Sequence, residues 1–269
     1  MIIGKNILYF ELHKTACSHT INILQSIPSI EAKAFGKHNC YNDVPKEIIG
    51  DFESKIKIGN VRNPWDWYVS LWAFGCMKKG GLFDKVIGDI NLLNLYGIKK
   101  IFLSPKKLFI DKKKWEKVYN DANNPKQFQE WLKLILTDST IDLGEEYKSS
   151  SISKFSGLLT YRYLKLYTHN FDKNIANYID LLEFDKENNF IDIIIKKENL
   201  YNALLESSSK MDISNDEMQK ALGKYKNKTN RSERKDYQFY YNQESIELVR
   251  KYEKLIIEKY GYEFNPLTY

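Results

Sequence analysis

The side chains best equipped for chemistry stand together at His13-Lys14-Thr15-Ala16-Cys17-Ser18-His19, where the apolar run beginning at Ile7 gives way to small polar residues around one lysine. Helical spacing resumes at Ile21, Leu24 and Ile27, so the pattern predicts strand, tight turn and helix. A helix N-terminus offers unpaired N–H groups and the positive end of its dipole, which suits a phosphate or sulfate. Lys14 adds a point charge, and Thr15 and Ser18 add hydroxyl donors. The segment has no glycine and does not match G-x-x-x-x-G-K-[ST], so it is not a Walker A loop. A second cation, Arg62, follows the strand pattern of Ile56, Ile58 and Val61 and precedes Pro64, which opens a helix. It therefore stands at the carboxyl end of a strand, where open α/β sheets bind ligands, and a guanidinium grips phosphate through two parallel hydrogen bonds. His38 lies in the polar stretch Gly36 to Asp43, where a surface loop histidine is the plain alternative to a catalytic one. Its ordinary pKa of about 6.5 lets it accept a hydroxyl proton at neutral pH.

His13-Lys14-Thr15-Ala16-Cys17-Ser18 resembles the 5′-phosphosulfate loop of sulfotransferases that use PAPS (3′-phosphoadenosine 5′-phosphosulfate), in the H-K-T-A-S-S style of carbohydrate O-sulfotransferases. Cys17 stands where a serine or threonine is usual, which removes one hydroxyl contact. Val61-Arg62-Asn63-Pro64-Trp65-Asp66-Trp67-Tyr68-Val69-Ser70 is similar to that superfamily's 3′-phosphate motif, and the resemblance makes Arg62 and Ser70 the clamp. The order Asn227-Lys228-Thr229-Asn230-Arg231-Ser232, Tyr240-Tyr241 and Gly261-Tyr262-Glu263-Phe264 resembles the C-terminus of bacterial and glycan sulfotransferases, whose loop folds over the adenosine. Lys228, Asn230 and Arg231 become cofactor candidates on that ground, with a solvated basic loop as the alternative.

The resemblance implies that residues His13 to His19 line the 5′ end of the cofactor, with Lys14 catalytic. Many bacterial relatives carry a Lys-His pair at the place of Lys37-His38, which makes His38 the general base. PAPS would be the donor, PAP the product, and the acceptor a hydroxyl, of a glycan or glycolipid. No metal is expected, and no spacing of His, Cys or Asp suggests one. A P-loop-type kinase or NTPase is one rival reading, and a non-catalytic basic protein that binds nucleotides or glycans is the other. No nucleic-acid module is recognisable.

These residues need a frame. A chain of 269 residues with 43% hydrophobic and 14% aromatic side chains is a folded globular protein. A net charge of +6 favours anionic partners without choosing among them. The three cysteines, Cys17, Cys40 and Cys76, fit reduced thiols in a cytoplasmic setting. No secretory signal or membrane-spanning stretch is visible, whereas animal carbohydrate sulfotransferases are Golgi-anchored, so the resemblance points to a soluble bacterial or viral form.

The expected fold is α/β. The resemblance makes it a single P-loop-like, three-layer domain over 1–269, with a central, mainly parallel sheet flanked by helices. A lysine-rich insertion is expected around 80–140, and a solvated face is its plainer reading. Further strands are expected at Ile30 to Phe35 and at Phe190 to Ile195, the latter central and buried. Helices are expected after Pro45, with one inner face after Pro64 (Trp65, Val69, Trp72, Ala73, Cys76), and after Pro125. Residues 138–156 read as loop. Tyr161, Tyr163 and Tyr167 read as core or, less simply, as a sugar platform. One helix bearing Ile246, Val249, Tyr252, Ile256 and Tyr260 runs to a stop at Gly261.

Overall fold

The computed structural model describes residues 1–43, 46–50, 52–87, 111–138, 143–225 and 234–265. Contacts divide the chain into two units, each built from three stretches of sequence: Met1–Asn63, Arg162–Phe171 and Leu182–Arg231, and Pro64–Tyr161, Asp172–Leu181 and Ser232–Tyr269. Among the described residues no helix is long and apolar enough to cross a membrane.

The first unit is organised by a five-stranded mixed sheet of order β3-β1-β2-β4-β5. The strands are β1 (Ile2–Ile3), β2 (Ile7–Phe10), β3 (Lys33–Ala34), β4 (Ile56–Val61) and β5 (Ile193–Lys196). The middle is parallel: Ile7 pairs with Ile56 and Ile58 with Ile193, while β1 runs antiparallel to both β2 and β3. Every residue of β2 is buried, as a strand covered on both faces requires. Tyr9 joins the apolar layer of Ile23, Leu24, Ile58, Leu204, Met211 and Met218 on one face. Its neighbour Phe10 points the other way, into Phe52 and Phe190. The period-2 alternation of a strand thus sends adjacent side chains into different layers. On the Phe10 side Tyr167 packs so close to β4 that a Cβ on Gly59 would lie 2.6 Å from its ring, so only glycine fits there.

Three strand expectations change. Ile30 to Phe35 holds only the exposed pair Lys33–Ala34, because Pro28–Ile30 forms a 3-10 turn ended by Glu31 at φ 52°. The Phe190 to Ile195 run forms an edge strand of alternating burial, not a central one. Asp192 breaks the run and turns outward to Lys57, its Oδ2 3.0 Å from the ammonium. Because β1 precedes β2, the polar loop follows the second strand and Arg62 the fourth, not the first and third.

The second unit is mainly helical. Pro64–Cys76 is a helix in which Trp67, Tyr68 and Leu71 are buried along with Trp65, Val69 and Trp72, so it has no single inner face. Asp66 in its first turn pairs with Arg234. Pro125–Thr137 follows its predicted pattern, capped by Asn124 and burying Phe128, Trp131, Leu132, Ile135 and Leu136. Of the lysine-rich segment, Lys112–Val118 is a helix that buries Trp115 and Val118 and leaves Lys113, Lys114 and Lys117 exposed; 88–110 lie outside the described residues. The expected loop after Asp138 contains two 3-10 turns, Tyr147–Ser149 and Ser151–Lys154. The C-terminal helix is two helices, Gln243–Tyr252 and Lys254–Tyr260, interrupted at buried Glu253 and stopped at Gly261, φ 60°. The helix Leu158–Tyr167 passes from this unit to the first after Tyr161, and its three tyrosines are core. Tyr161 donates to the Glu145 carbonyl in the second unit, while in the first Tyr163 accepts from Asn189 and Tyr167 bonds to the backbone of Asn60.

Candidate anion site

The predicted strand, turn and helix are present as β2, a loop, and α1 (Cys17–Gln25). The loop turns without glycine by placing Lys14 and Ala16 in the left-handed region, at φ 61° and 67°. Each such residue costs about 1–2 kcal/mol, so the surroundings must hold it. Asn60 at the end of β4 supplies much of that hold. Its amide nitrogen donates to the Thr15 carbonyl at 3.0 Å and to Thr20 Oγ1 at 2.8 Å. Thr15 Oγ1 donates to the Leu12 carbonyl at 2.7 Å, so this hydroxyl is used inside the loop. The Asn60 backbone is itself fixed by Tyr167, whose hydroxyl accepts from its N–H and donates to its carbonyl, both at 2.8 Å.

Arg62 is buried, and its Nη1 donates to the Lys14 carbonyl at 2.8 Å. The turn after β2 and the cation after β4 are therefore in direct contact. On the far side of Arg62, the Asn63 N–H donates to Glu198 Oε1 at 2.8 Å, so Glu198 helps fix the turn that follows β4. Ser18 is exposed on the first turn of α1, and the Cys17 and Lys14 side chains are half-buried. Burial pushes the Cys17 thiol above its ordinary pKa, and Glu11 adds to the rise. His19 faces away from this contact, with Nε2 2.8 Å from the Tyr201 hydroxyl and its ring edge-on to Tyr225. Ser70 belongs to the second unit, buried within the Pro64–Cys76 helix. Lys228, Asn230 and Arg231 lie outside the described residues.

His38 comes to the same loop from a distant stretch of chain. Its ring stacks on His13 with centroids 3.5 Å apart, and its Nδ1 lies 2.7 Å from the Glu11 carbonyl. A carbonyl only accepts, so Nδ1 carries the proton and Nε2 the lone pair. Burial lowers the pKa of His38, and Arg162 lowers it further against the opposing pull of Glu11. His13 is held neutral by burial first and then by Arg162, His38 and Lys165. The neutral pair thus has a lone pair at His38 Nε2 for proton transfer.

Two residues beside this pair escaped the sequence reading. Arg162 is a buried guanidinium near both imidazoles, and Glu11 is a buried carboxylate in the apolar run. Arginine and glutamate are almost never fully buried unless paired, so a charge inside an otherwise apolar stretch was the available signal. No family model matches the chain, and no curated protein and no solved structure does either.

Proposed function

We propose that the chain transfers a sulfuryl group from PAPS to an acceptor hydroxyl of a carbohydrate. The reading also takes the parallel β2-β4-β5 core as a P-loop-like frame. One observation carries it: Arg62 donates to the Lys14 carbonyl at 2.8 Å. The two segments that resemble grips for opposite ends of one cofactor thus share a contact. In the reaction the bond from sulfur to the phosphate oxygen breaks as the acceptor oxygen attacks in line from the opposite side. Negative charge grows on the departing oxygen, where Lys14 and the N–H groups at the start of α1 stabilise it. The acceptor proton passes to His38 Nε2. Arg62 holds the 3′-phosphate.

PAP and ATP with magnesium should be compared in a thermal-shift assay, followed by transfer of radiolabelled sulfate from PAPS to a panel of glycans, lipids and small alcohols. PAP should raise the melting temperature of the wild type and have far less effect on Arg62→Ala. Stabilisation by ATP with magnesium but not by PAP would replace this reading with a kinase or NTPase.

A further inference from the structure

We propose that Glu11, Cys17 and His38 form a binding site for a thiophilic divalent cation, with zinc the best match. One ligand atom from each residue lies within 4.8 Å of the other two. These residues come from the end of β2, the first turn of α1 and the loop after β3, so no sequence spacing announces the cluster. Its donor set is oxygen, sulfur and nitrogen, which favours zinc over magnesium or calcium because hard cations take oxygen ligands.

Two further observations point to a ligand here. Glu11 is 1% exposed, and its Oε2 has no hydrogen-bond partner, while Oε1 takes the Met1 nitrogen at 2.5 Å. A buried carboxylate oxygen with nothing to accept is costly, and a cation would satisfy it. His38 also has the support found around metal-bound histidines: Nδ1 donates to a backbone carbonyl, which fixes the ring and leaves Nε2 as the free ligand atom. Zinc bonds of about 2.0–2.3 Å in a tetrahedron bring ligand atoms to about 3.3–3.6 Å from one another. The three ligand atoms, now within 4.8 Å of one another, would have to close to that spacing on binding, with water as the fourth ligand. On binding, the zinc–sulfur bond replaces the S–H bond of Cys17 and that proton leaves to solvent. Two anionic ligands then cancel the charge of the ion.

This site is independent of the sulfuryl-transfer reading, but it takes the same lone pair on His38, so bound metal and proton acceptance exclude each other. The test is spectroscopic. Cobalt(II) is titrated into the reduced full-length chain, and the thiolate-to-cobalt charge-transfer band and ligand-field bands are followed, with zinc as competitor. One cobalt per chain should give four-coordinate spectra that zinc abolishes. Cys17→Ser should remove the charge-transfer band, and Glu11→Gln and His38→Ala should each weaken binding at least about tenfold, the scale set by losing even supporting groups. Cys40→Ser and Cys76→Ser should leave the spectra unchanged. Spectra that persist in Cys17→Ser, that vanish in either control, or that never develop in the wild type would overturn the proposal. Cys17→Ser replaces one small side chain by another, and its circular dichroism separates loss of ligand from loss of fold. None of these readouts depends on sulfate transfer.

Discussion

At the scale of single residues, the contact between His38 and the Glu11 carbonyl decides what the imidazole can do. With Nδ1–H committed, Nε2 accepts a proton only while the ring is neutral, and burial and Arg162 both favour the neutral form. The acid limb of turnover against pH should therefore fall below the ordinary histidine value of about 6.5. Arg162→Met removes one of the lowering influences, so the limb should move up toward that value. A limb at the same pH in both proteins would assign the titration to another group. In the proposed transfer Lys14 would act on the other side of the reaction. Removing a donor aimed at developing charge costs about 10²–10³ in turnover, so Lys14→Ala should lose that much with PAPS saturating. Wild-type turnover in that variant would remove Lys14 from the chemistry.

At the scale of elements, the polar loop and Arg62 are legible because each ends an apolar strand and begins a helix, a change of periodicity that sequence displays directly. The two-residue strands Ile2–Ile3 and Lys33–Ala34 are too short to show any period. The apolar run into β5 reads alike for an edge and a centre, since strand order is set by long-range pairing. The helical break at Glu253 is hidden because the apolar spacing from Ile246 to Tyr260 runs straight through it. That break has a consequence. The Glu253 carboxyl accepts from the N–H groups of Leu159 and Thr160, from Thr160 Oγ1 and from the Tyr68 hydroxyl. Burial nevertheless raises its pKa to about 7 from 4.5, against those donors. The folded state thus holds a proton that the unfolded chain has released between these values, so the stabilisation is full below about pH 4.5 and is lost as pH rises to 7. The loss is on the order of 3 kcal/mol. Denaturant melts from pH 5 to pH 7.5 should show this decline in the wild type, and Glu253→Gln should flatten it. A parallel decline in both proteins would place the titrating group elsewhere.

At the scale of the whole molecule, the chain passes between its two units at 63/64, 161/162, 171/172, 181/182 and 231/232. Two of these passages fall inside continuous helices, Leu158–Tyr167 and Tyr178–Asn188. Neither unit is a single run of sequence, so melting one would unwind helices that the other shares. That connectivity predicts that the two units melt together. A ligand held by β2, α1 and Arg62 in the first unit should then stabilise the entire chain. At 100 times its dissociation constant, PAP adds about 2.7 kcal/mol to the folded state. Calorimetry should record one transition that PAP moves upward as a whole, by roughly 5 °C for a chain of this size. Two transitions, with PAP shifting only one, would show units that fold separately despite their interleaved sequence. A single transition that PAP leaves in place would instead mean that the loop and Arg62 do not hold this nucleotide.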